Sequence, residues 1–354
     1  MKIRLLATFS LLVYATLLPF SAVWAQVTFN VLDVPPGIPW VNYAISADGS
    51  VMAANLGGEI YRWTSGQGFV DLGAGDPLNT TIGISADGST ITATILGPDG
   101  YTNAGRWRQS SGWINLGHLR KGCEMDGNWG SGYGLNADGS TVVGLLWYCP
   151  GARGFRWSEK EGMRGLSHPP GASSRASAIS ADGSTIVGFY EHPQQGYRRA
   201  VRWAAGKTDL FAGRNVPGEA SAVSANGSQI AGQAAVGFSP HAFYYTDAGG
   251  TIDLGTVSRI DSDQSFANAV SENGTVVGWS GDPFFGGIEA FYWNAATPKT
   301  KMRSLSKVLR KAGAKIPSNI ILTTALCISA DGSTIVGTWQ DQNFNQGSFI
   351  ARLK

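Results

Sequence analysis

Charge is scarce in this chain. Only 15% of the 354 residues are charged, while Gly occupies 48 positions, and both figures argue against a helical bundle or coiled coil, which needs charged outer faces and few glycines. Histidine is rare too: His118, His168, His192 and His241 are scattered, with no HExxH spacing. No G-x-S-x-G elbow, P-loop or Cys-x-x-Cys occurs, so the common nucleophile, phosphate and zinc signatures are missing. Past the N-terminus no apolar run approaches the roughly 20 residues a membrane helix needs. What is present is 43% hydrophobic and 11% aromatic residues, material for a large packed core and, with so much Gly, for a β-rich globular chain.

Residues 1–25 read as a secretory signal peptide: Lys2 and Arg4 lead an apolar run, and Val23 and Ala25 hold the small-residue positions before a cleavage point. Pro19 and Ser21 interrupt the run before a full span. No Cys follows it to take a lipid. Removing the leader takes away two cations and no acid, leaving 25 basic against 25 acidic residues. A balanced mature chain has no general electrostatic pull toward nucleic acid. The expected address is secreted or periplasmic.

The dominant pattern is repetition. ISADGS begins at Ile45 and recurs at Ile84; LNADGS follows at Leu135, ISADGS at Ile179, VSANGS at Val223, VSENGT at Val270 and ISADGS at Ile328. Asp48, Asp87, Asp138, Asp182, Asn226, Asn273 and Asp331 mark seven copies spaced 39 to 58 residues apart. After each turn comes a β-branched segment such as STIVG and a variable loop. A strand ending in an aromatic step (YRW, FRW, VRW, FYW) follows, and the early repeats close with a step such as GFVDLG. Asp-Gly and Asn-Gly are hairpin turn signals, because Gly takes the positive φ the turn requires. Four short strands per repeat, seven times over, predict an all-β, seven-bladed β-propeller with four antiparallel strands per blade, filling residues 26–354 as one domain. The seventh repeat ends after its third strand, whereas the chain after the leader opens with VTFNVLDVP, a fourth-strand element with no repeat before it. That N-terminal strand is expected to join the C-terminal blade and close the ring.

The ISADGS-TIVG, FRW and DLG steps resemble the HAF-type extracellular repeats of bacterial exported proteins, and the insertion SLSKVLRKAGAKIPSN resembles that family's terminal unit. The resemblance covers nearly all of the mature chain and implies export and repetition, with no activity to carry over.

The Asp-Gly turns lack the alternating oxygen ligands and closing Glu of an EF-type calcium loop, so no metal and no cofactor is expected there. Asp48, Asp87, Asp138 and Asp182 share repeats with Arg62, Arg106, Arg156 and Arg202, whereas Asn226 and Asn273 share theirs with Tyr244 and Tyr292. That joint loss predicts structural Asp–Arg pairs within those four repeats, the seventh keeping Asp331 with no Arg at the matching place. Cys123 and Cys149 flank one hairpin and are expected to form a disulfide in an oxidising compartment; Cys327 stands where other repeats have Ala or Gly and reads as a small filler. The segment 299–315 carries seven basic and no acidic residues. Leu305, Val308, Leu309 and Ala312 fall at helical spacing within it, predicting a short basic helix over about 303–313 with one apolar face and a possible anionic surface as contact.

Because strands alternate in direction, the loops between second and third strands share one face with the inter-blade loops. That face holds Trp147, Tyr148, Phe189, Tyr190, His192, Phe238, His241, Trp279, Phe284, Phe285, Trp339 and Phe344, an aromatic set suited to sugar or peptide recognition. The expected role is a binding module for a glycan, peptide or envelope protein. A propeller hydrolase or lyase acting on a polysaccharide or small molecule, and a structural scaffold, are the alternatives.

Overall fold

The computed structural model describes residues 27–353 apart from 35–37, 39–40, 98–99, 120–128, 149–150, 205, 212–213, 259, 261, 285–286 and 298–300, and apart from the side chains of 148, 207 and 208. The leader, Cys123, Cys149 and Phe285 lie outside the described residues, as does the side chain of Tyr148.

Each repeat folds into one four-stranded antiparallel sheet, and seven sheets make the ring. Blade 1 runs Val41–Ile45, Val51–Leu56, Glu59–Thr64 and Gly68–Ala74, from the innermost strand outward. The innermost strands of blades 2 to 7 are Ile82–Ile84, Gly130–Leu135, Ser174–Ile179, Gly218–Val223, Gln264–Val270 and Ile320–Ile328. Blade 7 takes its fourth strand from the other end of the chain, as expected: Thr28–Leu32 pairs antiparallel with the third strand, from Thr28 opposite Arg352 to Leu32 opposite Ser348. Phe29 stacks on Phe349 with ring centroids 5.5 Å apart, and Tyr43 of blade 1 donates its hydroxyl to Ser348 of blade 7 at 2.6 Å. Closing a ring this way removes two exposed sheet edges.

The repeated turn does two jobs. Within blade 1, Ser46 Oγ and the Ser50 N–H both donate to Asp48 Oδ1, and the Val51 N–H donates to Ser46 Oγ. The same arrangement recurs around Asp87, Asp182, Asn226 and Asp331. Gly49 takes φ 71°, and a Cβ there would also overlap Thr334 of the preceding blade. Between blades, the residue before the turn Asp or Asn donates its N–H to the next turn's carbonyl: Ala47 to Ala86, Ala86 to Ala137, Ala137 to Ala181, Ala181 to Ala225, Glu272 to Ala330, and Ala330 back to Ala47, at 2.8–3.1 Å. These six backbone bonds tie the innermost strands together at one end of the channel, and at the remaining junction, between blades 5 and 6, Gln229 Nε2 donates to the Glu272 carbonyl at 2.8 Å.

The expected Asp–Arg pairs do not form. Serine hydroxyls and the N–H two residues on saturate the carboxylates from within the turn, and the arginines point elsewhere. Arg62 Nε donates to the Gly88 carbonyl of blade 2 at 3.0 Å. Arg106 lies over the Trp157 ring of blade 3 at 4.8 Å and pairs with Glu159 of that blade. Arg156 pairs with Glu161 of its own outer turn at 3.1 Å, and Arg202 with Asp247 of blade 5 at 2.8 Å. The third strand presents these side chains on a sheet face, so three of the four bind the neighbouring blade rather than the turn of their own.

Four phenylalanines from the third strands, Phe155, Phe243, Phe291 and Phe349, are among the largest fully buried side chains. The segment after blade 6's fourth strand (Arg303–Ser304) holds the one helix among the described residues, Leu305–Lys311, with Leu305 and Leu309 buried and Arg310 and Lys311 in its last turn. Among the described residues no helix is long and apolar enough to cross a membrane.

Candidate functional site

The innermost strand of each blade pairs on one side only. Seven such strands therefore turn a free backbone edge toward the axis, around a cavity of about 530 Å³. A fourth-residue choice in the second strand shapes its wall. In blades 3 to 7 the segment after the turn ends in Gly144, Gly188, Gly232, Gly278 and Gly337, whereas blades 1 and 2 have Ala54 and Ala93. Those five blades carry a β-bulge in the innermost strand opposite the Gly, and blades 1 and 2 carry none. The reason is steric. A Cβ on Gly144, Gly188, Gly232, Gly278 or Gly337 would run into the carbonyl oxygen of Ser131, Arg175, Glu219, Phe266 or Thr324, which the bulge pushes inward. Bulges re-aim side chains, and the extra residues, Tyr133, Ser177, Ser221, Asn268 and Leu326, all line the cavity.

The result is a mostly polar middle layer above aliphatic residues such as Ile45, Ile84, Ile179 and Val223. Asn268 Nδ2 donates to the Ala325 carbonyl at 2.9 Å, fixing its orientation. Arg175 is the one charged residue among the described residues lining the cavity. It pairs with buried Glu219, whose other oxygen accepts from Arg198 at 2.8 Å. The Arg175 guanidinium also sits over Tyr133 and Phe189 at 4.9 and 4.8 Å, and its Nε donates to Ser177 at 3.3 Å. Burial, with Arg198 nearby, lowers its pKa below the ordinary Arg value, yet a guanidinium so shifted stays charged at neutral pH. Two cations against one carboxylate leave this wall electropositive.

Cys327 also lines the cavity wall; it is a free buried thiol with its pKa pushed up to about 12 by burial, packed in a cluster with Tyr43, Met52 and Val336. No carboxylate or imidazole is among the described lining residues, and no group of three or more His, Cys, Asp or Glu among the described residues could hold a metal ion.

The aromatic set expected on the loop face divides. Phe189 and Tyr190 are buried rather than exposed: the Phe189 ring is packed between Arg175 and Arg198, and Tyr190 donates to Asp209 at 3.3 Å. Their side chains pack into blade 4 because both belong to its second strand, not to the loop after it. Trp279 stacks on Phe266 at 4.5 Å, Trp339 Nε1 donates to the Ser348 carbonyl at 3.2 Å, and the His192 ring stacks on Tyr197. His241 Nδ1 lies 3.1 Å from Asp253 within blade 5. Trp147, Phe238, Phe284 and Phe344 are exposed. Sequence reasoning missed Asn42, Tyr133, Arg175, Ser177, Ser221 and Asn268, although the Gly-for-Ala change in the second strand carried the signal for the bulges.

No protein-family model matches the chain, and no curated protein does. Among solved structures it is similar to the β-propeller domain of the Trilobed protease from Pyrococcus furiosus, with a TM-score of 0.57, 11% identity, and 88% of this chain and 96% of that one covered. It is also similar to an oligogalacturonate lyase in complex with manganese (TM-score 0.54, 14% identity, 93% and 97% covered) and to the hydrazine synthase of Kuenenia stuttgartiensis (0.52, 13%, 90% and 96%). The chain is a seven-bladed propeller. At these identities the likeness is one of fold. The first neighbour is described as having an open velcro topology, whereas here the N-terminal strand closes blade 7.

Proposed function

We propose that this protein is an exported binding module that takes part of a glycan, peptide or envelope protein into its axial cavity from the loop face. The observation that carries the reading is the run of five bulges, each placing one variable side chain on the wall of a single cavity. Variable groups on a rigid frame suit recognition. Free strand edges add backbone donors and acceptors, and Arg175 adds a cation. The hydroxyls, the Asn268 amide and the Arg175 guanidinium on the wall can hydrogen-bond a ligand that enters it. Export rests on the leader and on the resemblance to extracellular repeats.

The test is a glycan and peptide array probed with the mature chain, followed by titration of any hit against a cavity-filling Ser221→Phe variant. Loss of binding with an unchanged melting temperature is the expected result. A folded Ser221→Phe protein that binds as the parent does would refute the cavity as the site.

A further inference from the structure

The hairpins joining second and third strands of blades 5, 6 and 7 each end in an exposed phenylalanine. Phe238, Phe284 and Phe344 show 110%, 80% and 79% of their surface, where a ring of this size is normally covered. The tips are built to hold them out. Gly237 before Phe238 has φ 61°. The Phe284 N–H donates to Asp282 Oδ1 at 2.8 Å. Phe344 is the one non-Gly residue among the described residues with positive φ, at 62°, in a loop whose Asp341 accepts from the N–H groups of Asn343 and Asn345 at 2.8 and 2.9 Å.

The same face receives the chain's main run of positive charge. Between Glu289 and Asp331 there is no acidic residue, and Lys307, Arg310, Lys311 and Lys315, all beyond the end of blade 6's fourth strand, are exposed. None of them is in an ion pair among the described residues. The fourth strand Arg303–Ser304 runs antiparallel to the third and so heads for the loop face. Blade 7's innermost strand starts on that face at Ile320. The helix Leu305–Lys311 and the segment holding Lys315 therefore lead back to the face that carries Phe284 and Phe344.

We propose that this sector, blades 5 to 7 on the loop face, docks on a membrane leaflet carrying anionic headgroups. The three rings enter the interface and the cations meet the headgroup phosphates, the two-part signal that reversible surface binding requires. An acidic polysaccharide would share the charge complementarity but not the rings. Phenyl groups with no polar edge, on three separate tips rather than along one groove, fit insertion between lipids better than stacking on sugars.

The experiment is co-sedimentation of the mature chain with vesicles of phosphatidylcholine alone and with phosphatidylglycerol added, set beside binding to polygalacturonate. Binding is expected only with the anionic lipid. It should fall about fivefold for each cation neutralised in the series Lys307→Gln, Arg310→Gln, Lys311→Gln, and be lost in the triple variant Phe238→Ser, Phe284→Ser, Phe344→Ser with its melting temperature retained. No vesicle binding, vesicle binding that survives the triple Phe substitution, or binding to polygalacturonate alone would each overturn the proposal. Ser221→Phe should leave vesicle binding unchanged, so failure here and failure of the cavity reading are separable.

Discussion

Gly278→Ala adds one methyl group at the point where the second strand of blade 6 faces its bulge. The new Cβ would stand 2.9 Å from both the carbonyl carbon of Phe266 and Cε1 of buried Phe291, and closer still to the Phe266 oxygen. Neither neighbour can yield alone, because Phe291 is fully buried and Phe266 is stacked on Trp279. Overpacking of this kind costs about 1–3 kcal/mol, offset by roughly 0.5–1 kcal/mol from the lower entropy of the unfolded Ala chain. The net loss, centred at about 1 kcal/mol, lowers Tm by roughly 2–4 °C in a domain this large. Gly66→Ala is the control, since a Cβ there meets nothing within 4 Å and its φ lies outside the left-handed region. It should be neutral or slightly stabilising in the same calorimetric scan. A Gly278→Ala protein that melts with the parent, and whose Asn268 still bonds the Ala325 carbonyl, would refute the claim that Gly is there to admit the bulge.

Four further outcomes follow from the same contacts. The Ser50 N–H and the Ser46 hydroxyl hold the Asp48 carboxyl below the usual range, and the Ser85 and Ser180 hydroxyls are the first causes of the same lowering at Asp87 and Asp182. Their stabilisation is complete above the unfolded value near pH 4 and is lost as pH falls through the lower folded values. The triple variant Asp48→Asn, Asp87→Asn, Asp182→Asn should therefore show a shallower acid limb in unfolding midpoint against pH; an unchanged limb would count against these turns as the origin. Deleting residues 26–34 removes the strand paired with Ser348–Arg352 and should lower the melting temperature of the whole ring; cooperative melting at the parent temperature would contradict closure by that strand. Glu219→Ala leaves the half-buried Arg175 guanidinium without its carboxylate and should cost about 1–3 kcal/mol, against a neutral result if the pair were only a surface contact. Peptide mapping without reductant should find Cys123 joined to Cys149, stabilising by about 3 to 4 kcal/mol on the loop-entropy account; three free thiols in exported material would exclude the bond.

Repetition in the sequence determined the architecture. Seven Asp-Gly or Asn-Gly turns with β-branched and aromatic strands between them are local signals, written in residues a few positions apart, and they specify hairpins wherever the chain goes. The unpartnered VTFNVLDVP strand was legible for the same reason: one repeat lacked a part that the other end of the chain supplied. Contacts between blades were not legible, because they join residues from 26 positions apart, as Arg62 and Gly88, to 305 apart, as Tyr43 and Ser348. Asp48 and Arg62 lie in one repeat, yet tertiary packing filled the carboxylate from its own turn and sent Arg62 to Gly88 of the next blade. Phe189 and Phe238 look alike as aromatic residues at the ends of second strands, and only the packing of blade 4 buries one between Arg175 and Arg198 while blade 5 leaves the other at a tip. The cavity belongs to no single repeat. Its wall exists because seven free strand edges meet around one axis, and a Gly-for-Ala difference in the second strand decides, by the room it leaves for one carbonyl oxygen, which blades bulge into it.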